Sequence, residues 1–175
     1  SKSTVARRMK VLQMKARRKR KYIQTTDSKH DQPIAPNVLD RDFSAEHPAH
    51  KWVSDLTYFR ISTRWYYLST VIDLADRAVV GWSIRDNMTA QHTTIDDFKK
   101  AIKNRKPSKG MIFHSDRGVQ YACQEFRSLL DDNNCVQRMS RKGNCWDNAV
   151  AESFFKTIKV ECINKHEFVS KTKAY

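Results

Sequence analysis

No stretch of this 175-residue chain is apolar for longer than a strand. The longest runs, such as residues 78–82, fall far short of the roughly 20 residues that cross a bilayer. That excludes a transmembrane helix, and no membrane partner is expected. The basic N-terminus lacks the apolar stretch and small-residue cleavage site of a secretory signal. Ser1 in place of Met fits a processed chain or an excised fragment. Cysteine is scarce: Cys123, Cys135, Cys145 and Cys162 form no CxxC pair and no Cys/His spacing suited to zinc. They read as reduced thiols and point to the cytoplasm. His47 and His50 make an HxxH with no cysteine pair beside it, which reads as a loop. Internal repeats and low-complexity tracts are absent.

Acids are missing from residues 1–21, which hold ten Lys or Arg. The net charge of +14 therefore leaves only +4 for residues 22–175. The basic load is a tail, and Arg17, Arg18, Lys19 and Arg20 stand at its densest point. Such a run repels itself unless a polyanion neutralises it, and nucleic-acid phosphate is the usual partner. The alternative is a solvated tail that aids solubility. Val5, Met9, Leu12 and Ala16 recur at helical spacing ahead of this run, so residues 1–21 are expected as a basic helical tail. Residues 22–50 are polar, with Pro33, Pro36 and Pro48, and read as a linker. Residues 51–175 turn globular. With 39% hydrophobic and 10% aromatic residues, the chain can bury one ordinary core.

The globular part starts with strands. Residues 52–60 and 65–74 are rich in aromatic and β-branched side chains, separated by Ser62 and Thr63. A third strand is expected at 78–85, with Asp76 and Arg77 in the turn before it, giving an antiparallel meander. The period then changes: helix over 90–104, strand over 109–114, helix over 119–133, strand over 136–139, and a last helix from about Asn148, whose side chain suits a cap. The order βββαβαβα describes a five-stranded mixed sheet flanked by helices.

Three acids stand out on that frame. Asp55 falls inside the first strand, where an unpartnered carboxylate is costly to bury. Asp116 ends the fourth strand, and the carboxyl ends of strands are where α/β sheets place their sites. Glu152 lies in the first turns of the last helix. Converging from two strands and a helix, these acids suit Mg²⁺ or Mn²⁺, hard cations that take oxygen ligands. Two such ions serve the in-line displacement used by nucleases and strand transferases. Glu152, Lys156 and Lys159 share one face of the last helix, which either meets phosphate or forms a solvated Glu/Lys pair.

The segments Trp52-Val53-Ser54-Asp55-Leu56-Thr57-Tyr58, His114-Ser115-Asp116-Arg117-Gly118-Val119-Gln120-Tyr121 and residues 140–155 carry a resemblance. They are similar to bacterial insertion-sequence transposases of the retroviral-integrase-like DDE superfamily, with 35 residues between Asp116 and Glu152. The resemblance implies an RNase H-like fold. It implies Asp55, Asp116 and Glu152 as catalytic metal ligands, two Mg²⁺ or Mn²⁺ ions, cleavage at transposon ends and joining of a 3′-hydroxyl to target DNA. It also implies Lys156 and Lys159 as contacts to the DNA ends, double-stranded DNA as partner, a homo-oligomer on that DNA, and work at the bacterial nucleoid. Residues 1–21 would then be the end of an upstream helix-turn-helix domain, and a C-terminal segment would lie beyond Tyr175.

The remaining polar residues have local readings. Asp73 and Asp76 are expected to organise a strand turn. Asp147 and Asn148 are expected as helix caps, with Asn148 bordering the site. Arg141 and Lys142 either grip phosphate or are solvated, on a loop around Gly143 that reads as a mobile lid. Trp52, Trp82 and Trp146 are expected to pack, with base stacking as the alternative for Trp146. Two rival functions share these features: an RNase H-like nuclease that cuts without joining, and a DNA-binding fragment without catalysis.

Overall fold

The computed structural model describes residues 1–14, 30–36, 42–141 and 144–174. After an N-terminal helix α1 (Lys2–Val11), the strands β1 (Lys51–Ile61), β2 (Arg64–Asp73) and β3 (Val79–Arg85) form the expected antiparallel meander. Ser62 and Arg77, both at positive φ, make its two tight turns. Next come α2 (Asp96–Asn104), β4 (Ile112–Ser115), α3 (Val119–Ala122), α4 (Gln124–Asp132), β5 (Val136–Met139), α5 (Ala149–Glu161) and a short α6 (Lys171–Ala174). The sheet order is β3-β2-β1-β4-β5, with β1/β4 and β4/β5 parallel. Among the described residues no helix is long and apolar enough to cross a membrane.

Alternation along β1 sends residues to two layers. Trp52 joins Phe98 of α2, Phe113 of β4, Tyr121 of α3 and Phe126 of α4 in an aromatic core of edge-to-face pairs, with Phe98 and Phe113 centroids 5.4 Å apart. Val53 and Phe59 instead pack against α5, through Ala151 and Phe155 respectively. Helix α2 lies so close on β3 that a Cβ added at Gly81 would come 2.3 Å from the carbonyl oxygen of Asp97.

Four expectations change. The helix expected over 119–133 is broken at Cys123, which is extended at φ −65°, ψ 152°. In one continuous helix Tyr121 and Phe126, five apart, would point about 140° away from each other; the break lets both fill the same core with rings 5.7 Å apart. The helix expected over 90–104 opens with a π-helical turn, Gln91–Ile95, where the Thr94 hydroxyl donates to Gln120 O at 3.1 Å. Within the stretch read as linker, residues 42–50 lie on the domain: Phe43 and Ala45 pack on the Ile72 cluster, and Ala49 is buried. Trp146 is 67% exposed and packs nothing down, whereas Trp52 is fully buried. Residues 15–29 of the basic tail and linker lie outside the described residues.

Candidate active site

The parallel ladder between β1 and β4 pairs Val53 with His114. Continued by two residues, that register brings Asp55 level with Asp116, just past the end of β4. Glu152, exposed in the first turn of α5, faces the same place from the helix layer. Burial first, and then the charges of Asp116 and Glu152, push the Asp55 carboxyl well above the usual carboxylate range. The Leu56 N–H, donating at 2.8 Å, and the Lys159 ammonium only partly offset this. Burial also raises Glu152. Asp116 accepts the Gly118 N–H at 2.9 Å, which fixes its carboxylate at the strand end.

Among the described residues no three acidic, histidine or cysteine side chains close into a finished metal cage. The acids form an open group held together by the fold against their own repulsion. That donor set fits a hard divalent cation: oxygen ligands only, with negative charge in excess of the neighbouring Lys159. Asn148 adds a buried Oδ1 that has no partner among the described residues, four positions before Glu152.

The surrounding residues hold this geometry. Asn148 stands at the N-cap position of α5 but makes no side-chain cap; its amide instead donates to Ser54 O at 3.3 Å, tying the helix start to the residue before Asp55. Asp147 is no cap either. It is buried and takes Arg141 Nε and Nη2 in a two-pronged ion pair, both at 2.9 Å. Arg141 is thus engaged by Asp147 and anchors one end of the loop expected as a lid. Ser140, at that same end, accepts on its carbonyl from Arg117 Nε at 2.6 Å and pairs its hydroxyl with His114 Nε2 at 3.1 Å. Burial holds His114 below its ordinary pKa. Lys142 and Gly143 lie outside the described residues, as do Arg17, Arg18, Lys19 and Arg20.

Lys156 is exposed on α5, and Lys159 is half-buried, with Nζ 5.1 Å from the ring centroid of Tyr58. Burial lowers the Lys159 pKa and Asp55 raises it. Sequence reasoning missed Tyr121 as a supporting residue, although it ends the Asp116 motif. Its hydroxyl meets Ser54 Oγ at 2.8 Å, and burial, then Asp116 and Asp55, push its pKa far up, so a neutral phenol braces β1 beside the acids. Asp73 and Asp76 do organise the turn, each accepting the N–H two residues on, but Arg105 bridges both.

The chain matches the Integrase core domain over residues 45–145, and a second Integrase core domain family over 133–174. It is 41% identical over 168 residues to the Transposase InsF for insertion sequence IS3A of Escherichia coli (strain K12), covering 96% of this chain and 58% of that protein. It is 37% identical over 170 residues to the Insertion element IS600 uncharacterized 31 kDa protein of Shigella sonnei, covering 97% and 62%. The chain therefore spans under two thirds of these relatives' length. Among solved structures, the simian T-cell lymphotropic virus intasome in complex with PP2A regulatory subunit B56 gamma superposes with a TM-score of 0.65 at 18% identity, over 85% of this chain and 51% of that one. The HTLV-2 integrase catalytic core domain in complex with magnesium (dimeric form) gives 0.51 at 20% identity, over 67% and 77%. At such identities these two speak for the fold, the mixed RNase H-like sheet expected from the resemblance. With more than half its length matched by that domain, this chain belongs to the integrase core domain family.

Proposed function

We propose that the chain is the catalytic core of a DNA transposase, which cuts DNA at transposon ends and joins the freed 3′-hydroxyl to a target. The observation that carries this is the parallel β1/β4 register, which, carried two residues past Val53 and His114, sets Asp55 level with Asp116, with the charges of Asp116 and Glu152 both felt at the Asp55 carboxyl. The transposase named among the relatives supports it, and so does the family. In this reading Asp55, Asp116 and Glu152 hold Mg²⁺ or Mn²⁺, two ions in all. Bound there, the metal supplies activation of the attacking oxygen and stabilisation of the leaving one.

The chain's own residues do the positioning. The β1/β4 register sets Asp55 against Asp116; Asn148 and Tyr121 brace Ser54 beside them; Lys156 and Lys159 meet phosphates of the bound end. In cleavage, a water oxygen bonds to phosphorus as the bond to the transposon's 3′ oxygen breaks, leaving a 3′-hydroxyl. In joining, that 3′ oxygen bonds to a target phosphorus while the target's own 3′ oxygen leaves. One phosphodiester is exchanged for another.

Residues 1–21 act as the end of an upstream DNA-binding domain, with Arg17, Arg18, Lys19 and Arg20 neutralising phosphates. Of the stretch read as linker, residues 22–41 join them to the catalytic core of 51–175, onto which residues 42–50 pack. Arg141 and Lys142 flank the bound DNA, which holds two copies or more of the chain at the nucleoid in the bacterial cytoplasm.

The test is to incubate the chain with labelled, pre-nicked transposon-end DNA and plasmid target in Mg²⁺ or Mn²⁺, beside Glu152→Gln. Joined products that vanish in the variant are expected. Cutting without joining would replace this reading with a nuclease, and DNA binding with neither would replace it with a non-catalytic fragment.

A further inference from the structure

Between the β1–β2 hairpin and the C-terminal segment runs an open groove of about 810 Å³, lined in part by Tyr58, Arg60, Trp65, Lys159 and His166. Trp65 stands opposite Arg60 in the strand ladder, and its indole centroid is 6.0 Å from the guanidinium carbon. The ring of Tyr58 braces Trp65 edge-on, with centroids 5.2 Å apart at 70°. Lys159 Nζ lies 5.1 Å from the Tyr58 centroid. Trp65 nevertheless remains 47% exposed. A braced tryptophan face flanked by two cations has the chemistry that takes a nucleobase by stacking and the adjoining phosphates by charge. Glu167 is the one acid among the groove's lining residues, so the charge there favours an anionic guest.

Position adds a second reason. Lys159 belongs to both places: its charge reaches Asp55, and its ammonium sits over Tyr58. Tyr58 follows Asp55 by three residues along β1, about 10 Å along the strand and on its other face, and Lys159 is the side chain that reaches both. On its other side β1 is paired with β4 only over Lys51–Val53 among the described residues, so no strand occupies that flank beyond the acids.

We propose that this groove binds an unpaired DNA strand flanking the scissile phosphate, with Trp65 as the stacking platform and Arg60 and Lys159 on the backbone. The inference rests on the transposase reading for where the strand comes from. The groove itself requires only bases and phosphates, and a base can reach the indole face only when it is not paired.

The experiment uses the full chain in EDTA, with no metal chemistry running. Fluorescence anisotropy is measured with a labelled duplex bearing an overhang of about six unpaired nucleotides, and with the same duplex made blunt. The native chain should favour the overhang, and Trp65→Ala should weaken overhang binding by at least about fivefold while leaving the blunt duplex nearly unchanged. Trp65→Phe, which keeps a stacking face, should restore most of the loss; this rescue separates stacking from damage to the hairpin. Equal affinity for the two DNAs, overhang binding indifferent to Trp65→Ala, or failure of Trp65→Phe to restore it would each overturn the proposal. Because the readout needs no cleavage, a chain that binds this way but never cuts would refute the transposase reading alone.

Discussion

Asp55 and Asp73 lie on adjacent strands of one hairpin, yet the fold treats them in opposite ways. Asp73 has no exposed surface, and its burial alone would raise its pKa. Arg105, the N–H groups of Ala49 and Ala75, and the indole N–H of Trp52 outweigh that and hold it below the usual value. Asp55 goes the other way: burial raises it first and the charges of Asp116 and Glu152 add to that, while a single backbone N–H and the Lys159 ammonium do not offset them. Burial, which raises both, therefore does not distinguish the candidate catalytic acid from the structural one. The supply of donors does. At Asp73 the protein supplies donors to both carboxylate oxygens; three ladder positions away, at Asp55, charge is left for something from outside to answer.

The contrast can be broken most sharply by removing the carboxylate of each acid in turn. Asp55→Asn should lower metal-dependent DNA cleavage by at least about 10³-fold. The melting temperature in EDTA should hold or rise, since a repulsive charge is gone. A variant keeping a tenth of native cleavage would remove Asp55 from the active site. Asp73→Ala should do the reverse, costing about 3 kcal/mol of stability in urea titration, because it leaves the buried N–H groups of Ala49 and the Trp52 indole without an acceptor and takes one partner from the part-buried pair with Arg105. Cleavage per folded molecule should be unchanged, and a loss below about 1 kcal/mol would show the donors to be dispensable.

Asp97 on α2 sharpens the comparison as a buried acid with a third outcome. Burial pushes its carboxyl up to about 7, and the hydroxyls of Ser69 and Ser83 draw it down without making well-formed bonds to it. Folded, it stays protonated to about pH 7, whereas unfolded it ionises near 3.8. The stability it lends is thus full below pH 3.8 and is lost as pH rises to about 7. Asp97→Asn should match the native protein at acid pH and exceed it at pH 8 by on the order of 2 kcal/mol. Parallel stability curves across that range would show that Asp97 does not titrate in this way.

Much of this was legible in the chain itself. Aromatic and β-branched runs marked the three meander strands to within a residue or so, and β5 fell on its expected residues. The acids were found because a carboxylate inside a strand and another at a strand end break the pattern around them. What stayed hidden depends on partners distant in sequence. Nothing local says that Arg141 will close on Asp147, that Asn148 will reach across to Ser54, or that Tyr121 will brace it. Asp97 reads as one more polar residue of an amphipathic helix until Gly81 draws α2 down onto β3. The break at Cys123 is set by competition for one core between Tyr121 and Phe126, which periodicity along the chain does not record.

The sheet order also bears on how the protein comes into being. The meander β1-β2-β3 closes through short turns, while β4 reaches β1 only after some fifty intervening residues and α5 arrives later still. Short loops close ahead of long ones, so the hairpin holding Asp55 precedes the pairing that brings in Asp116 and the docking that brings in Glu152. A chain still emerging from the ribosome holds one of the three carboxylates in place, and the three come together only once synthesis has passed α5. Assembly of the candidate site thus waits on synthesis of the chain through Glu161.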